Sequence, residues 1–325
     1  MGDLLTRAYR DGVLDTEGFP LADVSEQLER PGTFVWIDLC SPSSDQLHEL
    51  ADELGLHELA VEDALGSRQR PKLDHYESHV FLSSRAITVD VDGGRLGEAE
   101  VDAFMDARWI ITVRESDLFP IGPVAKRCDN SSELAVNGPS FVMYVLLDVL
   151  VDDYFEAIES LDEFYDGLSD RIFGEHPLDL TQQRDWFEMR RVVSRFHRLV
   201  VATREAVSGL LRRERQVVAA PLRPYFQDVY DHLVRVSDSA DSLRDLVGTL
   251  AETNLSLRDY RQNLIVKKVG SWAAIITVPA VITGYFGMNV PFPGSGEVGG
   301  VILASVLMVV SSVTLYFVFH SRDWL

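Results

Sequence analysis

The stretch VGSWAAIITVPAVITGYFGMN, residues 269–289, decides the architecture of this 325-residue chain. It contains no Asp, Glu, Lys or Arg, and the uncharged run continues to residue 296. After the single Glu297, a second uncharged run covers residues 298–319. A helix needs about 20 apolar residues to cross roughly 30 Å of hydrocarbon. The sequence therefore predicts a protein that spans the lipid bilayer twice near its C-terminal end.

The charges that flank the two runs predict how the chain crosses the membrane. Lys267 and Lys268 precede the first run, Arg322 follows the second, and the connector between the runs has neither Lys nor Arg. Cytoplasmic segments next to membrane spans carry an excess of Lys and Arg. We therefore predict a multi-pass protein of the cytoplasmic (inner) cell membrane, with both termini in the cytoplasm.

The composition of the whole chain argues against several functions. Its 51 acidic residues outnumber the 30 basic ones, which gives a formal net charge of −21. Nucleic acid is bound through Lys and Arg, so we expect no nucleic-acid partner. The segment PGSGEVGG (293–300) lacks the Lys of a phosphate-binding loop, so we expect no nucleotide. Asp152, Asp153 and Glu156 are more typical of a solvated helix face than of a general acid/base pair, so we do not expect an enzyme.

The part before the spans mixes strand-like and helical patterns. Runs rich in β-branched and aromatic residues occur at Phe34–Leu39, His79–Val89 and Arg108–Val113, and Ser43–Leu56 has the apolar stripe of a helix. From about residue 140 the pattern becomes helical. The fold class we predict is an α+β membrane protein, with an N-terminal cytosolic α/β domain and a long stalk helix that continues into the first span.

The stalk helix has a narrow apolar stripe. No proline occurs between Pro224 and Pro279, and apolar residues recur every three or four positions from Phe226 to Leu250. If the helix continues to Asn289, it has roughly 65 residues. A helix of this length is not stable alone, and so narrow a stripe favours packing against other copies of the chain. We therefore expect a homo-oligomer.

Small and polar residues share one face of the first span. We call this face the small-residue stripe: Asn263, Val266, Gly270, Ala273, Thr277, Ala280, Gly284 and Gly287. The bulky Trp272, Ile275, Ile276, Ile282 and Phe286 lie on the other side. Such a stripe serves either close helix packing, which is the commoner use, or the lining of an ion pathway. A polar residue near each end of the span, Asn263 and Asn289, favours the pathway.

The end of the first span resembles a known signature. Residues 285–289, Tyr-Phe-Gly-Met-Asn, are similar to the Gly-Met-Asn motif of the CorA-type magnesium transporters, at the place where that family has it. Other stretches resemble the same family along most of the chain: HELAVEDAL (57–65), QRPKLDHY (69–76), LLDVLVDDYF (146–155), RPYFQDVYDH (223–232), LRDL (243–246) and the terminal Trp324-Leu325.

The resemblance implies a funnel-shaped homopentamer whose five first spans line the ion pathway. It assigns Gly287, Met288 and Asn289 to the selectivity filter, and Val266 and Val269 to a hydrophobic gate. The rest of the small-residue stripe would line the pore. We therefore expect these domains: a cytosolic α/β domain (1–139), a cytosolic helical hairpin (140–220), a stalk helix (221–268), a pore-lining transmembrane helix (269–289), an external loop (290–297), a second transmembrane helix (298–320) and a cytosolic tail (321–325).

The resemblance also implies metal sites that regulate the pore. An inter-subunit site would join Asp63 of one subunit to Glu252 of its neighbour, and a second site would use Glu62, Asp148 and Asp228. The chain departs from the family pattern where Glu252 replaces an Asp, where Ala280 replaces a pore Thr, and where the tail has one Arg instead of a Lys cluster.

The function we predict is a Mg²⁺ channel or transporter driven by the membrane potential and closed by cytosolic Mg²⁺ bound between subunits. Mg²⁺ is both the transported and the regulatory ion, Co²⁺, Ni²⁺ or Zn²⁺ are further candidate ions, and no organic cofactor is expected. Mg²⁺ releases its water reluctantly, so a ring of neutral Asn289 oxygens suits it. The alternatives are a proton-coupled Zn²⁺ transporter of the same superfamily and a non-conducting membrane-anchored scaffold.

Overall fold

The computed structural model describes residues 4–66, 70–173, 180–213, 218–288, 294 and 296–325. The chain divides into two compact units, Met1–Gly248 and Thr249–Leu325. Asn289 of the predicted filter lies outside the described residues, as does most of the connector.

A mixed β-sheet forms the centre of the first unit. Its strands are β1 (Leu4–Arg10), β2 (Val13–Glu17), β3 (Thr33–Cys40), β4 (Lys72–His75), β5 (Val80–Asp90), β6 (Arg95–Met105) and β7 (Trp109–Arg114). Their order across the sheet is β2-β1-β3-β7-β6-β5-β4. All neighbours are antiparallel except β3 and β7, which are parallel and pair Ile37 with Ile111.

The two parallel strands lie at the middle of the sheet because the sequence there is apolar on both faces. Every residue of β3 and β7 is buried, a pattern typical of strands covered on both sides. The two edge strands behave differently. In β2 no residue is buried and exposed positions alternate with partly buried ones, and β4 has only four residues.

Three short helices contribute to the core on one face of the sheet: α1 (Val24–Glu29), α2 (Ser44–Leu54) and α3 (Glu58–Leu65). Val24, Leu47, Leu50 and Ala60 from these helices form one buried cluster with sheet residues such as Phe104. The start of α2 is fixed by a capping box, in which the backbone N–H of Gln46 donates to Ser43 and the Gln46 side chain accepts from the backbone of Ser43.

Further helices complete the first unit. They are α4 (Gly122–Asp129), α5 (Ser132–Ala135), α6 (Pro139–Phe173), α7 (Leu180–Arg213) and the first part of α8 (Arg223–Phe286). Helix α6 packs on the sheet, where the Tyr154 hydroxyl donates to the Arg85 carbonyl over 2.6 Å. Helix α8 packs on its neighbours through Arg204 of α7, which donates to the Ser237 hydroxyl over 3.1 Å.

The apolar stripe of the stalk helix is buried inside this unit. Phe226, Val229, Leu233, Val236 and Ala240 are each 0% exposed in the single chain. Our expectation that this stripe packs against other copies is therefore wrong. The period of three and four residues shows that one face is covered, and the chain's own helices cover it. This stripe therefore gives no evidence for an oligomer.

The second unit consists of the remainder of α8 and of α9 (Val298–His320). Helix α8 has 64 residues and ends at Phe286. The predicted fold class is confirmed in its elements: an N-terminal α/β unit, one long helix that enters the first apolar run, and a second apolar helix.

Candidate ion pathway and metal sites

Helices α8 and α9 pack against each other along one face each. On α8 the covered positions include Ser271, Ile275, Val278, Ile282 and Phe286, which recur every three or four residues. On α9 they include Ala304, Met308, Ser311, Leu315 and Phe319. Near one end of the pair, Thr283 Oγ1 lies 3.2 Å from Met308 Sδ. The small Ala304, one turn before Met308 on the same face of α9, allows this close approach.

The small-residue stripe lies on the opposite face of α8. At about 100° per residue, its centre is roughly 200° around the helix from the face that contacts α9. All eight of its residues are exposed, and so is the predicted gate residue Val269, at 64%. At Gly270 and Gly284, no atom of the described chain other than the nearby residues of the helix itself lies within 4 Å of where a Cβ would stand. The stripe is thus not used for packing within the chain.

The end of α8 is held by turn hydrogen bonds. The Gly287 N–H donates to the Thr283 carbonyl over 2.8 Å, and the Met288 N–H donates to the Tyr285 carbonyl over 3.3 Å. Both Gly287 and Met288 are exposed. About two turns earlier, Pro279 has no N–H to donate to the Ile275 carbonyl, which removes one helix bond from the span.

The C-terminal tail folds back on the base of the two helices. Asp323 has a left-handed backbone with φ of 54°, and the Trp324 N–H donates to the Phe319 carbonyl over 3.0 Å, as in a Schellman motif. The Trp324 ring stacks on Phe319 with a centroid distance of 5.8 Å. Lys267 of α8 places its Nζ 5.8 Å from the centre of the same ring. The tail therefore ties the end of α9 to the base of the predicted pore segment.

The predicted regulatory residue Asp63 is paired with a lysine in the single chain. Lys72 Nζ lies 2.6 Å from Asp63 Oδ2 and 2.7 Å from Asp74 Oδ2. Burial acts to lower the pKa of Lys72, but its hydrogen bonds with the two carboxylates outweigh burial and raise that pKa above the ordinary value. Among the residues that the structure describes, Asp63 Oδ1 has no hydrogen-bond donor.

The residues of the predicted second site are in different environments. Asp148 on α6 is buried and forms an ion pair with Arg127 of α4. Burial acts to lower the pKa of Arg127, but the charge of Asp148 outweighs it and raises that pKa. Asp228 is 63% exposed, with its Oδ2 3.7 Å from His232 Nε2, and Glu62 is exposed on α3. Asp148 fits a metal site poorly because Arg127 already neutralises it.

The predicted sites are not complete metal sites within one chain. In the part of the chain that the structure describes, no three Asp, Glu, His or Cys side chains are grouped so that they could hold a metal ion. Mg²⁺ accepts one or two carboxylates and completes its six ligands with water. Asp63, through Oδ1, and the exposed Glu252 fit that requirement as two partial sites, each of which needs water and ligands from elsewhere.

Sequence analysis did not predict the contacts of three side chains that lie beside the candidate sites. Lys72 lies two residues from Asp74 on one strand, and that spacing places both side chains on one face. This spacing could have indicated that Lys72 pairs with Asp74. No sequence signal pairs Arg127 with Asp148, because they lie on separate helices. Trp324 was recognised only as part of a terminal motif, whereas the structure shows it in contact with Phe319 and Lys267.

The fold and the apolar helices together define a class of protein. Each of α8 and α9 contains a segment long and apolar enough to cross a membrane, and they follow an α/β unit with its own core. The family described as CorA-like Mg²⁺ transporter protein matches residues 31–321, and the chain belongs to this family. It is therefore a membrane transporter of divalent cations and not an enzyme.

Individual relatives agree with the family. The cobalt/magnesium transport protein CorA of Thermotoga maritima is 28% identical over 296 residues, which cover 90% of this chain and 84% of that protein. The putative metal ion transporter YfjQ of Bacillus subtilis is 27% identical over 272 residues, 82% of each chain. The complete CorA magnesium transporter of Methanocaldococcus jannaschii shares the fold, with a TM-score of 0.81 and 19% identity over 99% of both chains.

Proposed function

We propose that the protein conducts Mg²⁺ along a pathway lined by the small-residue stripes of five copies of α8. The observation that carries this proposal is that all eight residues of the stripe, on the face opposite α9, are exposed. A face of small residues on a membrane helix serves either close helix packing or an ion pathway. Within the chain no helix packs on this face, and small residues leave room for an ion with its water. In this arrangement the α9 helices form an outer ring, and Val266 and Val269 close the narrow part by excluding water.

The filter in this proposal is a ring of five Asn289 side chains, with Gly287 and Met288 before it. Neutral amide oxygens bind the water shell of Mg²⁺ without holding the ion as firmly as carboxylates would. A potential that is negative inside supplies roughly 2.3 kcal/mol per charge per 100 mV, and about twice that for a divalent ion moving inward. No nucleotide is then needed to drive uptake.

The filter is tested by Mg²⁺ flux into liposomes that contain the purified protein. Asn289→Ala should abolish the flux while the oligomer, measured by native mass, remains intact. Asn130→Ala changes an exposed asparagine that follows α4, and it should leave the flux unchanged. Wild-type flux through a correctly assembled Asn289→Ala protein would refute the filter. A flux of Zn²⁺ that follows a pH gradient and excludes Mg²⁺ would refute magnesium as the ion.

We further propose that cytosolic Mg²⁺ closes the pore by binding between Asp63 of one subunit and Glu252 of the next. The support is chemical: both carboxylates are accessible, and within the described chain neither belongs to a group of three candidate ligands. Metal can stabilise the closed state only if it binds that state more tightly than the open one. Sites made of few carboxylates and water bind weakly, in a range suited to free cellular Mg²⁺.

The regulatory site is tested with liposomes loaded with graded internal Mg²⁺. The double variant Asp63→Asn, Glu252→Gln should need more internal Mg²⁺ for half-maximal inhibition. The control Asp52→Asn, Glu53→Gln removes two exposed carboxylates from α2 and should leave inhibition unchanged. An inhibition curve that is the same in both double variants and in the wild type would remove this site, though not the pore.

A further inference from the structure

An ammonium group already occupies the position of a cation at the proposed regulatory site. Lys72 Nζ lies between the carboxylates of Asp63 and Asp74, at 2.6 Å and 2.7 Å, and 5.9 Å from the centre of the Phe81 ring. The strand register places Lys72 opposite Ser83 and Asp74 opposite Phe81, so β5 supports the whole arrangement from one side. The lysine is therefore held in place by contacts with three side chains.

This position brings Lys72 into competition with a metal ion. Mg²⁺ binds oxygen at about 2.0–2.1 Å, and Asp63 Oδ2 already lies 2.6 Å from the ammonium nitrogen, so an ion bound directly to this oxygen lies within a few ångströms of a second cation. If the ion binds Oδ1 or binds through water, two cations lie a few ångströms apart and repel each other. In each case Lys72 lowers the affinity of Asp63 for Mg²⁺.

Asp74 provides a second position for the same ammonium. It lies two residues after Lys72 on β4, and its Oδ2 is as close to Lys72 Nζ as that of Asp63. When Mg²⁺ binds Asp63, Lys72 can remain paired with Asp74. The lysine does not have to become unpaired in the partly buried space between α3 and β4, where an unpaired charge is unfavourable.

We propose that Lys72 is a built-in counter-ion that sets the Mg²⁺ concentration at which the transporter closes, and that Asp74 holds Lys72 when the metal binds. This rests on the proposed regulatory role of Asp63. Without Mg²⁺, Asp63 is paired with Lys72. Closure is an exchange of one cation for another at Asp63.

The proposal is tested on the full-length protein with two measurements. One is inhibition of flux by graded internal Mg²⁺ in liposomes, and the other is the Mg²⁺ concentration that half-protects the detergent-solubilised protein from limited proteolysis. Lys72→Met should lower both half-maximal concentrations about tenfold, because a positive charge next to the ion is removed. Lys72→Arg keeps the charge and should stay within about twofold of the wild type. Lys126→Met removes an exposed lysine of α4 and should change neither.

Variants of Asp74 test whether this residue acts through Lys72. Asp74→Asn should raise both half-maximal concentrations, since Lys72 then has only Asp63 as a charged partner. In the double variant Lys72→Met, Asp74→Asn, this increase should disappear if Asp74 acts through Lys72. If the increase persists in the double variant, Asp74 acts on the metal directly, and its proposed role is wrong.

The outcomes separate this inference from the function on which it rests. If Asp63→Asn shifts both measurements but Lys72→Met shifts neither, or shifts them upward, Lys72 is not a competitor and the inference is wrong. If Asp63→Asn itself shifts neither, the regulatory site is wrong, and the inference is wrong with it. Lys72→Gln provides a second neutral variant if Lys72→Met does not fold.

Discussion

Buried charges in the sheet of the first unit are paired with each other. Arg114 on β7 is 3% exposed and lies 2.8 Å from Asp38 on β3, which is 1% exposed. The Thr112 hydroxyl also donates to Asp38 over 2.6 Å, and Arg114 donates to the Phe119 carbonyl over 2.8 Å. Every polar atom named here has a partner, which is the condition under which a buried ion pair is tolerated.

Replacing one partner of this ion pair should lower the free energy of unfolding strongly. Arg114→Met leaves Asp38 buried without its counter-charge, and we expect the free energy of unfolding to fall by about 3–5 kcal/mol. Arg10→Met breaks the exposed pair of Arg10 and Asp15 and should cost less than about 1 kcal/mol. Denaturant unfolding of the purified protein, followed by circular dichroism, measures both. Equal losses in the two variants would contradict the assigned role of the buried pair.

Asp153 on α6 should make stability depend on pH. Burial, and then the charges of Glu156 and Asp152, raise its pKa from 3.8 to about 6. The folded chain therefore holds this proton more tightly than the unfolded chain. The resulting stabilisation is complete below about pH 4 and is lost as the pH rises through about 6. At pH 7 the ionised group destabilises the fold, by about 1 kcal/mol after allowance for solvent screening.

The variant Asp153→Asn tests this dependence. It should raise the midpoint of thermal unfolding at pH 7 and have little effect at pH 4, because the neutral amide resembles the protonated acid. Asp162→Asn changes an exposed carboxylate on the same helix and serves as the control. A midpoint for Asp153→Asn that differs from the wild type equally at both pH values would show that ionisation is not the cause.

At the scale of whole elements, α8 performs two tasks with two different faces. Its first part buries an apolar stripe in the first unit, whereas its last part leaves a stripe of small residues uncovered. One helix can do both because its side-chain pattern changes along its length, from bulky residues such as Phe226 and Leu233 to small ones such as Gly270 and Gly284. The small residues of the last part leave room on that face for other copies of the chain and for an ion pathway between them.

Glycine substitutions on α8 test what that space is used for. A Cβ added at Gly270 or Gly284 meets open space, and both positions are exposed, so we expect neither Gly270→Leu nor Gly284→Leu to disturb the fold. In a pathway formed by several copies, each adds a ring of bulky side chains, and we expect Mg²⁺ flux to fall at least about tenfold. Gly299→Leu, at an exposed position at the start of α9 that also has open space, should not reduce the flux. Unchanged flux in both α8 variants would exclude this face as the pathway.

At the scale of the whole molecule, exposed apolar surface marks the second unit. Large side chains of both helices are open, including Ile276 at 68%, Val298 at 77% and Phe317 at 63%. Such a surface is unsuitable for water but suits lipid and neighbouring copies. The flanking Lys267, Lys268 and Arg322 then predict which side of the membrane each end occupies.

Cysteine labelling tests this topology in intact cells. A cysteine introduced as Glu297→Cys should react with an impermeant thiol reagent, and one introduced as Ser321→Cys should react only after permeabilisation. Both positions are exposed, so accessibility within the chain does not distinguish them. The native Cys40 and Cys128 are buried and provide an unreactive background. Labelling in the reverse pattern would invert the orientation.

The sequence alone determined the membrane spans and the strands that are buried on both faces. The spans follow from composition, since hydrocarbon excludes charge wherever the chain folds. Strands β3, β5 and β7 overlap the predicted runs because most of their side chains are apolar or β-branched, although β5 also contains Ser83, Ser84 and Arg85. Strand β6 was not predicted, because it contains Glu98, Glu100 and Asp102. Glu100 is acceptable inside the sheet since Arg85 of β5 neutralises it over 2.9 Å.

Only the tertiary structure decided what covers each face and which charges are already paired. Periodicity shows that the stripe from Phe226 onward is buried, but it cannot show that the chain's own helices cover it. Likewise, Asp63 and Asp148 read as free carboxylates in the sequence, whereas Lys72 and Arg127 neutralise them in the fold. The physical reason is the separation along the chain of the residues that decide each property. Hydrophobic pattern is a property of neighbouring residues, but an ion pair depends on which distant segments folding brings within about 4 Å.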